Sequence, residues 1–173
     1  MKDQALAERC RRLRLVLTDV DGVLTDGRIL FLPGGEEAKF FHARDGLGVA
    51  LARRAGLRIG FLSGRQSPAA EARAREQGIT LLRMGVGDKA AALREILASE
   101  GLSGQEVAFI GDDVNDVPVF AEVGLSAAPA DAVFEARAQA FMVLQTAGGH
   151  GCLREFLEAI LRARGDWEGL TGL

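Results

Sequence analysis

The run Leu15-Val16-Leu17-Thr18 ends on Asp19-Val20-Asp21-Gly22, and this junction constrains the chain more than any other stretch. An unbroken apolar run suits a strand buried on both faces, as in a parallel sheet. Loops at the carboxyl ends of such strands are where open α/β sheets place their sites. Two carboxylates two residues apart point the same way in extended backbone. They can hold a hard cation, and one of them can act as a nucleophile. An Asp-rich turn is the other reading of this segment taken alone, because Asp and Gly are ordinary turn formers.

Further along, apolar strand-like runs alternate with helical periodicity. Arg28–Leu32 and Ala38–Phe41 flank the turn-rich Pro33–Glu37 and predict a β-hairpin over about residues 28–41. Such a ribbon is marginal on its own and needs a cover. Asp45-Gly46 is expected to start a helix that Gly56 stops, followed by a strand at Leu57–Leu62. Pro68 opens a helix through Glu76, Ile79–Leu82 forms a short strand, and Asp88 caps the next helix. Strands at Val107–Ile110, Leu125–Ala127 and Phe141–Val143 enclose short helices. Cys152–Ala163 is amphipathic, residues 1–12 form a short leading helix, and a tail over residues 165–173 carries Trp167, expected against another subunit. This alternation predicts an α/β fold, a three-layer Rossmann-like domain with a mostly parallel sheet. A length of 173 residues suits one domain over residues 1–173.

Composition narrows the function. Hydrophobic residues make up 48 % of the chain and the net charge is −3, with both signs dispersed, so a basic nucleic-acid surface is not expected. No apolar run is long enough for a membrane span and no secretory segment follows the charged start, which predicts a cytoplasmic location. Cys10 and Cys152 match no metal or redox spacing and read as free thiols.

Parallel strands bring their carboxyl ends together, so Asp19, Asp21, Ser63, Lys89, Asp112 and Asp113 are expected to converge. Three carboxylates suit Mg²⁺, a lysine and a hydroxyl suit phosphoryl oxygens, and a second acid suits a leaving oxygen. The segments Asp19-Val20-Asp21-Gly22-Val23, Ser63-Gly64-Arg65, Lys89 and Gly111-Asp112-Asp113-Val114-Asn115-Asp116 resemble, in order, the four motifs of the haloacid dehalogenase-like phosphatases. Phe41–Gly48 and Ala147–Glu155 extend the likeness to the 3-deoxy-D-manno-octulosonate 8-phosphate phosphatases.

The resemblance implies a haloacid dehalogenase fold without a separate cap domain and with a protruding hairpin. It implies Asp19 as nucleophile and Mg²⁺ ligand, Asp21 as general acid/base binding the metal through its main-chain carbonyl, and Asp112 as the remaining ligand. Ser63 and Lys89 would bind phosphate, with Asp113 and Asp116 orienting water or Lys89. Arg65, Gly64, Arg44, Asp45, Gly149 and His150 are the candidates for contact with a phosphorylated sugar acid. Arg65 favours the eight-carbon acid over the nine-carbon 2-keto-3-deoxynonulosonate 9-phosphate, whose phosphatases carry Glu there. Ser63 stands where Thr is more common, and His150 where Arg is frequent. Relatives are homotetramers whose hairpins shape neighbouring sites. A non-catalytic scaffold of the same fold is the reading from a different class; the intact reactive groups argue against it.

Overall fold

The computed structural model describes residues 2–173; residue 1, at the start of the expected leading helix, lies outside the described residues. Helix α1 (Lys2–Arg12) leads into the central strand β1 (Leu15–Thr18). A small antiparallel ribbon follows, β2 (Leu30–Phe31) and β3 (Glu37–Ala38), then α2 (Ala43–Arg54) and β4 (Arg58–Leu62). The chain continues through α3 (Pro68–Glu76), β5 (Leu81–Arg83), α4 (Lys89–Glu100), β6 (Val107–Ile110), α5 (Val117–Phe120) and β7 (Leu125–Ala128). It closes with α6 (Phe134–Gln139), β8 (Met142–Val143), α7 (Cys152–Arg164) and α8 (Trp167–Thr171).

Six parallel strands form one sheet in the order β5-β4-β1-β6-β7-β8. The chain winds outward from β1 through β4 to β5, then returns to the other side of β1 at β6. The strand order therefore reverses between β1 and β6, where an open sheet leaves a crevice at its carboxyl edge. Thr18 pairs in register with Ile110, which sets Asp19 beside the loop that follows β6.

Strand alternation supplies both faces of the core. Val16, Ile59, Phe61, Ala108 and Ile110 point toward α1, α2, α3 and α7. Leu15, Leu17, Leu62, Val107 and Phe109 point toward α4, α5 and α6. Helix α7 fully buries Leu153, Phe156, Leu157, Ile160 and Leu161, each contributing about 1.5–3 kcal/mol by removal from water. Among the described residues, no helix is long and apolar enough to cross a membrane.

Three local features differ from the sequence reading. Helix α2 starts at Ala43, because the His42 imidazole accepts from the Arg44 N–H at 3.2 Å and serves as its N-cap. Trp167 packs on its own chain: it is buried, with the Arg154 and Arg162 guanidiniums over its ring at 4.9 and 4.7 Å. Asp45 caps a helix inside the fold. Its Oδ1 accepts from the Arg154 N–H at 2.8 Å, where α7 has no side-chain cap of its own. Burial raises the Asp45 pKa, partly opposed by that N–H.

Asp45→Ala leaves the partly buried Arg154 N–H unpaired and is expected to cost about 1–3 kcal/mol. Asp45→Asn keeps an acceptor and should cost less than half as much. Urea unfolding of the two variants checks this, and equal losses would contradict the capping role.

Candidate active site

The site is built from four strand ends. Asp19 follows β1, Ser63 follows β4, Lys89 opens α4 beyond β5, and Asp112 follows β6. A pocket of about 160 Å³ at this edge is lined by Asp19, Asp21, Ser63, Gly64, Arg65, Lys89, Asp112, Asp113 and Asn115. A larger concavity opens at the opposite end of β4, among Arg53, Arg58 and Arg83, and contains none of these groups.

Lys89 is the electrostatic centre. It sits at the first position of α4, after the Asp88 N-cap, where the helix dipole disfavours a cation. Its ammonium lies 3.0 Å from Asp19 Oδ2 and 2.6 Å from Asp116 Oδ1. Burial pulls the Lys89 pKa down, but the two carboxylates outweigh it and the net direction is up. Lys89 is therefore held in its charged form.

Asp116 is fully buried and both its oxygens are in use. Oδ1 holds Lys89, and Oδ2 accepts from the Asp112 and Asp113 N–H groups at 2.9 and 3.2 Å. Asp116 thus closes the loop after β6 and positions Lys89. Asp113 is exposed and sits at the pocket rim.

Asp19, Asp112 and Asp116 each offer an oxygen within 4.8 Å of the others, a spacing that a cation can span. Geometry alone counts three ligands, but chemistry separates them. Asp19 Oδ1 and Asp112 Oδ1 are buried without a hydrogen-bond partner, whereas the oxygens of Asp116 are already committed. Asp19 and Asp112 are the carboxylates with coordination to spare. Three acids share one lysine, and burial raises the Asp19 pKa to about 6 despite Lys89. Burial, then the charges of Asp19 and Asp116, raises that of Asp112 to about 8. These residues fit a divalent oxygen-seeking cation that offsets the surplus negative charge.

Two glycines make this closeness possible. Gly22 has φ +88°, and a Cβ there would come within 1.9 Å of Asp112 Oδ2. A Cβ on Gly148 would come within 2.0 Å of the Gly22 carbonyl oxygen. The Gly149 N–H then donates to the Val23 carbonyl at 2.9 Å. The glycine-rich block after β8 is therefore a buttress for the loop after β1.

Eight residues expected from the sequence meet in the pocket: Asp19, Asp21, Ser63, Gly64, Arg65, Lys89, Asp112 and Asp113. Arg44, Asp45, Gly149 and His150 are not among its lining residues within one chain. Arg44 is exposed, and the His150 ring is engaged with the Gly148 carbonyl at 2.8 Å. Glu37, Lys39 and Asn115 escaped the sequence reading. Lys39 pairs with Asp21 and Glu37, and Glu37 pairs with Arg65. The i, i+2 spacing of Glu37 and Lys39 in a strand was the available signal, since it puts both on one face.

Residues 40–124 match the haloacid dehalogenase-like hydrolase family. A 3-deoxy-D-manno-octulosonate 8-phosphate phosphatase of Haemophilus influenzae is 39 % identical over 160 residues, covering 92 % of this chain and 89 % of that protein. The chain belongs to this phosphatase family, within the haloacid dehalogenase-like hydrolases. The crystal structure of the Yersinia pestis member superposes with a TM-score of 0.93 at 41 % identity, covering 98 % of this chain and 91 % of that one. A Moraxella catarrhalis member, solved with magnesium, phosphate and the sugar acid, gives 0.94 at 30 % identity with 96 % of each chain covered. Family membership agrees with the parallel sheet and with the four-motif order along it.

The raised carboxylates give the metal-free protein a signed pH dependence. An acid whose folded pKa lies above its unfolded value near 4 binds more protons in the native state. Its stability contribution is complete below that value and declines as pH rises through the folded pKa. Thermal midpoints in EDTA should therefore fall between pH 5 and 8. An added divalent cation should raise them more at pH 8 than at pH 5.5. A flat profile with a pH-independent cation effect would contradict the charge surplus.

Proposed function

We propose that this chain is a Mg²⁺-dependent phosphomonoesterase that hydrolyses 3-deoxy-D-manno-octulosonate 8-phosphate to the free sugar acid and inorganic phosphate. The observation that carries the reading is the convergence of Asp19, Asp21, Ser63, Lys89 and Asp112 in one pocket, in a chain of this family. When bound, Mg²⁺ supplies positive charge to the phosphoryl oxygens and offsets carboxylate repulsion, with the Asp19 and Asp112 side chains and the Asp21 main-chain carbonyl as its protein ligands.

Asp19 attacks phosphorus in line and the bond to the sugar oxygen breaks. Asp21 gives its proton to that departing oxygen, leaving an aspartyl-phosphate on Asp19. Asp21 then removes a proton from a water molecule that attacks the same phosphorus, which regenerates Asp19 and releases phosphate. Lys89, the Ser63 hydroxyl and the N–H groups of the Ser63–Arg65 turn hold the phosphoryl oxygens. Arg65, half-exposed at the pocket wall, faces the anionic end of the substrate. The activity belongs to lipopolysaccharide precursor synthesis in the cytoplasm.

A homotetramer completes the reading. The hairpin exposes Ile29, Leu30, Phe31 and Leu32 together, with Phe31 65 % exposed and nearby Phe40 82 % exposed. An apolar patch on so small a ribbon suits burial against further copies of the chain.

Phosphate release should be fast on the octulosonate 8-phosphate with Mg²⁺, and abolished by EDTA. Asp19→Asn should lose at least about 10⁴-fold, since it removes the nucleophile. A preference for the nine-carbon 9-phosphate, or equal kcat/KM on hexose 6-phosphates, would overturn the substrate; no turnover of any phosphate ester would favour a scaffold. Sedimentation at micromolar concentration should give the mass of four chains, and Phe31→Asp should reduce it. A monomeric wild type would contradict the assembly.

A further inference from the structure

The hairpin does more to the pocket than flank it. Lys39, just beyond β3, turns inward with a side chain fully removed from solvent. Its ammonium pairs with Asp21 Oδ1 and lies 2.9 Å from Glu37 Oε1. Glu37, whose side chain is 10 % exposed, also pairs with the Arg65 guanidinium and accepts from the Ser67 hydroxyl at 3.1 Å. Hydrogen bonding from Lys39, then from Ser67, holds the Glu37 carboxylate below the usual range against the cost of burial. Arg65 Nε in turn stands 3.6 Å from Asp21 Oδ2. Two acids and two cations thus alternate in a closed ring joining the hairpin, the loop after β1 and the turn after β4.

The ring treats the two oxygens of Asp21 differently. Oδ1 is fixed by a buried ammonium. Oδ2 is buried without a hydrogen-bond partner, and so is the facing Arg65 Nε. A general acid needs one oxygen anchored, to hold the carboxyl plane, and the other unspent, to carry the proton in transit. Lys39 does not line the pocket and its side chain is closed off from solvent, so it is not placed to recognise substrate.

We propose that Lys39 is a positioning residue for Asp21, and that Glu37 holds Lys39 in place, so that the hairpin sets the geometry of the proton-transfer group. The inference rests on the acid/base role given to Asp21 above. Up to departure of the leaving group, Lys39 matters only where that oxygen needs a proton; the later deprotonation of water by Asp21 is common to all esters. A sugar alkoxide is a poor leaving group and needs that proton; p-nitrophenolate leaves without it.

The test compares the octulosonate 8-phosphate with p-nitrophenyl phosphate, both with Mg²⁺. Lys39→Met should lower kcat/KM, which reports the steps through departure of the leaving group, by about 100-fold on the sugar phosphate, within the usual range for general acid catalysis, and by about threefold or less on the aryl ester. Glu37→Gln should show the same selectivity at about tenfold, and it carries the test if Lys39→Met does not fold. In an Asp21→Asn background, Lys39→Met should cost nothing further on the sugar phosphate. Equal losses on both esters, no loss on either, or full additivity with Asp21→Asn would each overturn the positioning role. A wild type inactive on both esters would instead remove the phosphatase reading itself.

Discussion

The Lys89 ammonium between Asp19 and Asp116 is the interaction on which the rest of the site depends. An isolated lysine at a helix N-terminus would be opposed by the dipole and by desolvation; two carboxylates reverse both penalties. The arrangement still leaves more buried negative than positive charge, because Asp112 joins the same cluster. That imbalance is what makes the pocket a cation site as well as an anion site. A bound cation would offset the acids and, with Lys89, would present positive charge to a phosphoryl group.

The fold creates this concentration of charge by topology and by missing side chains. The reversal of strand order between β1 and β6 opens the crevice, and strand register sets Asp19 beside the loop that bears Asp112. Gly148 supports Gly22, and Gly22 admits the Asp112 carboxylate, so a methyl group at either glycine would collide with backbone or with that carboxylate. The hairpin adds a second charged layer through Lys39 and Glu37, beside Asp21. Its apolar residues stay exposed, so one short ribbon carries both the proposed support of Asp21 and the proposed assembly surface.

Much of this was legible in the sequence because it is local. An apolar strand ending in Asp-x-Asp-Gly, a cap residue before Lys89 and a Gly-Asp-Asp after β6 each carry their own signature, and parallel topology brings them together. Long-range pairings were not legible. Asp45 was a candidate for substrate contact or for capping the helix that follows it, but the N–H it accepts from is 109 positions away. Trp167 looked like an interface residue because it sits in a short tail, yet two arginines of α7 enclose it. Lys39 stood in the sequence only as part of a strand segment, with no role assigned. Only the folded hairpin turns it toward Asp21.

The most direct test of the account is to trap the phosphoryl group in transit. Wild-type and Asp21→Asn protein would be mixed with phosphorus-labelled octulosonate 8-phosphate and Mg²⁺, quenched in acid within milliseconds to seconds, and mapped by peptide. The account predicts label on the peptide containing Asp19, stable to acid and released by hydroxylamine, and none in Asp19→Asn. Labelled phosphate released at full rate by Asp19→Asn, or label on another residue, would contradict it.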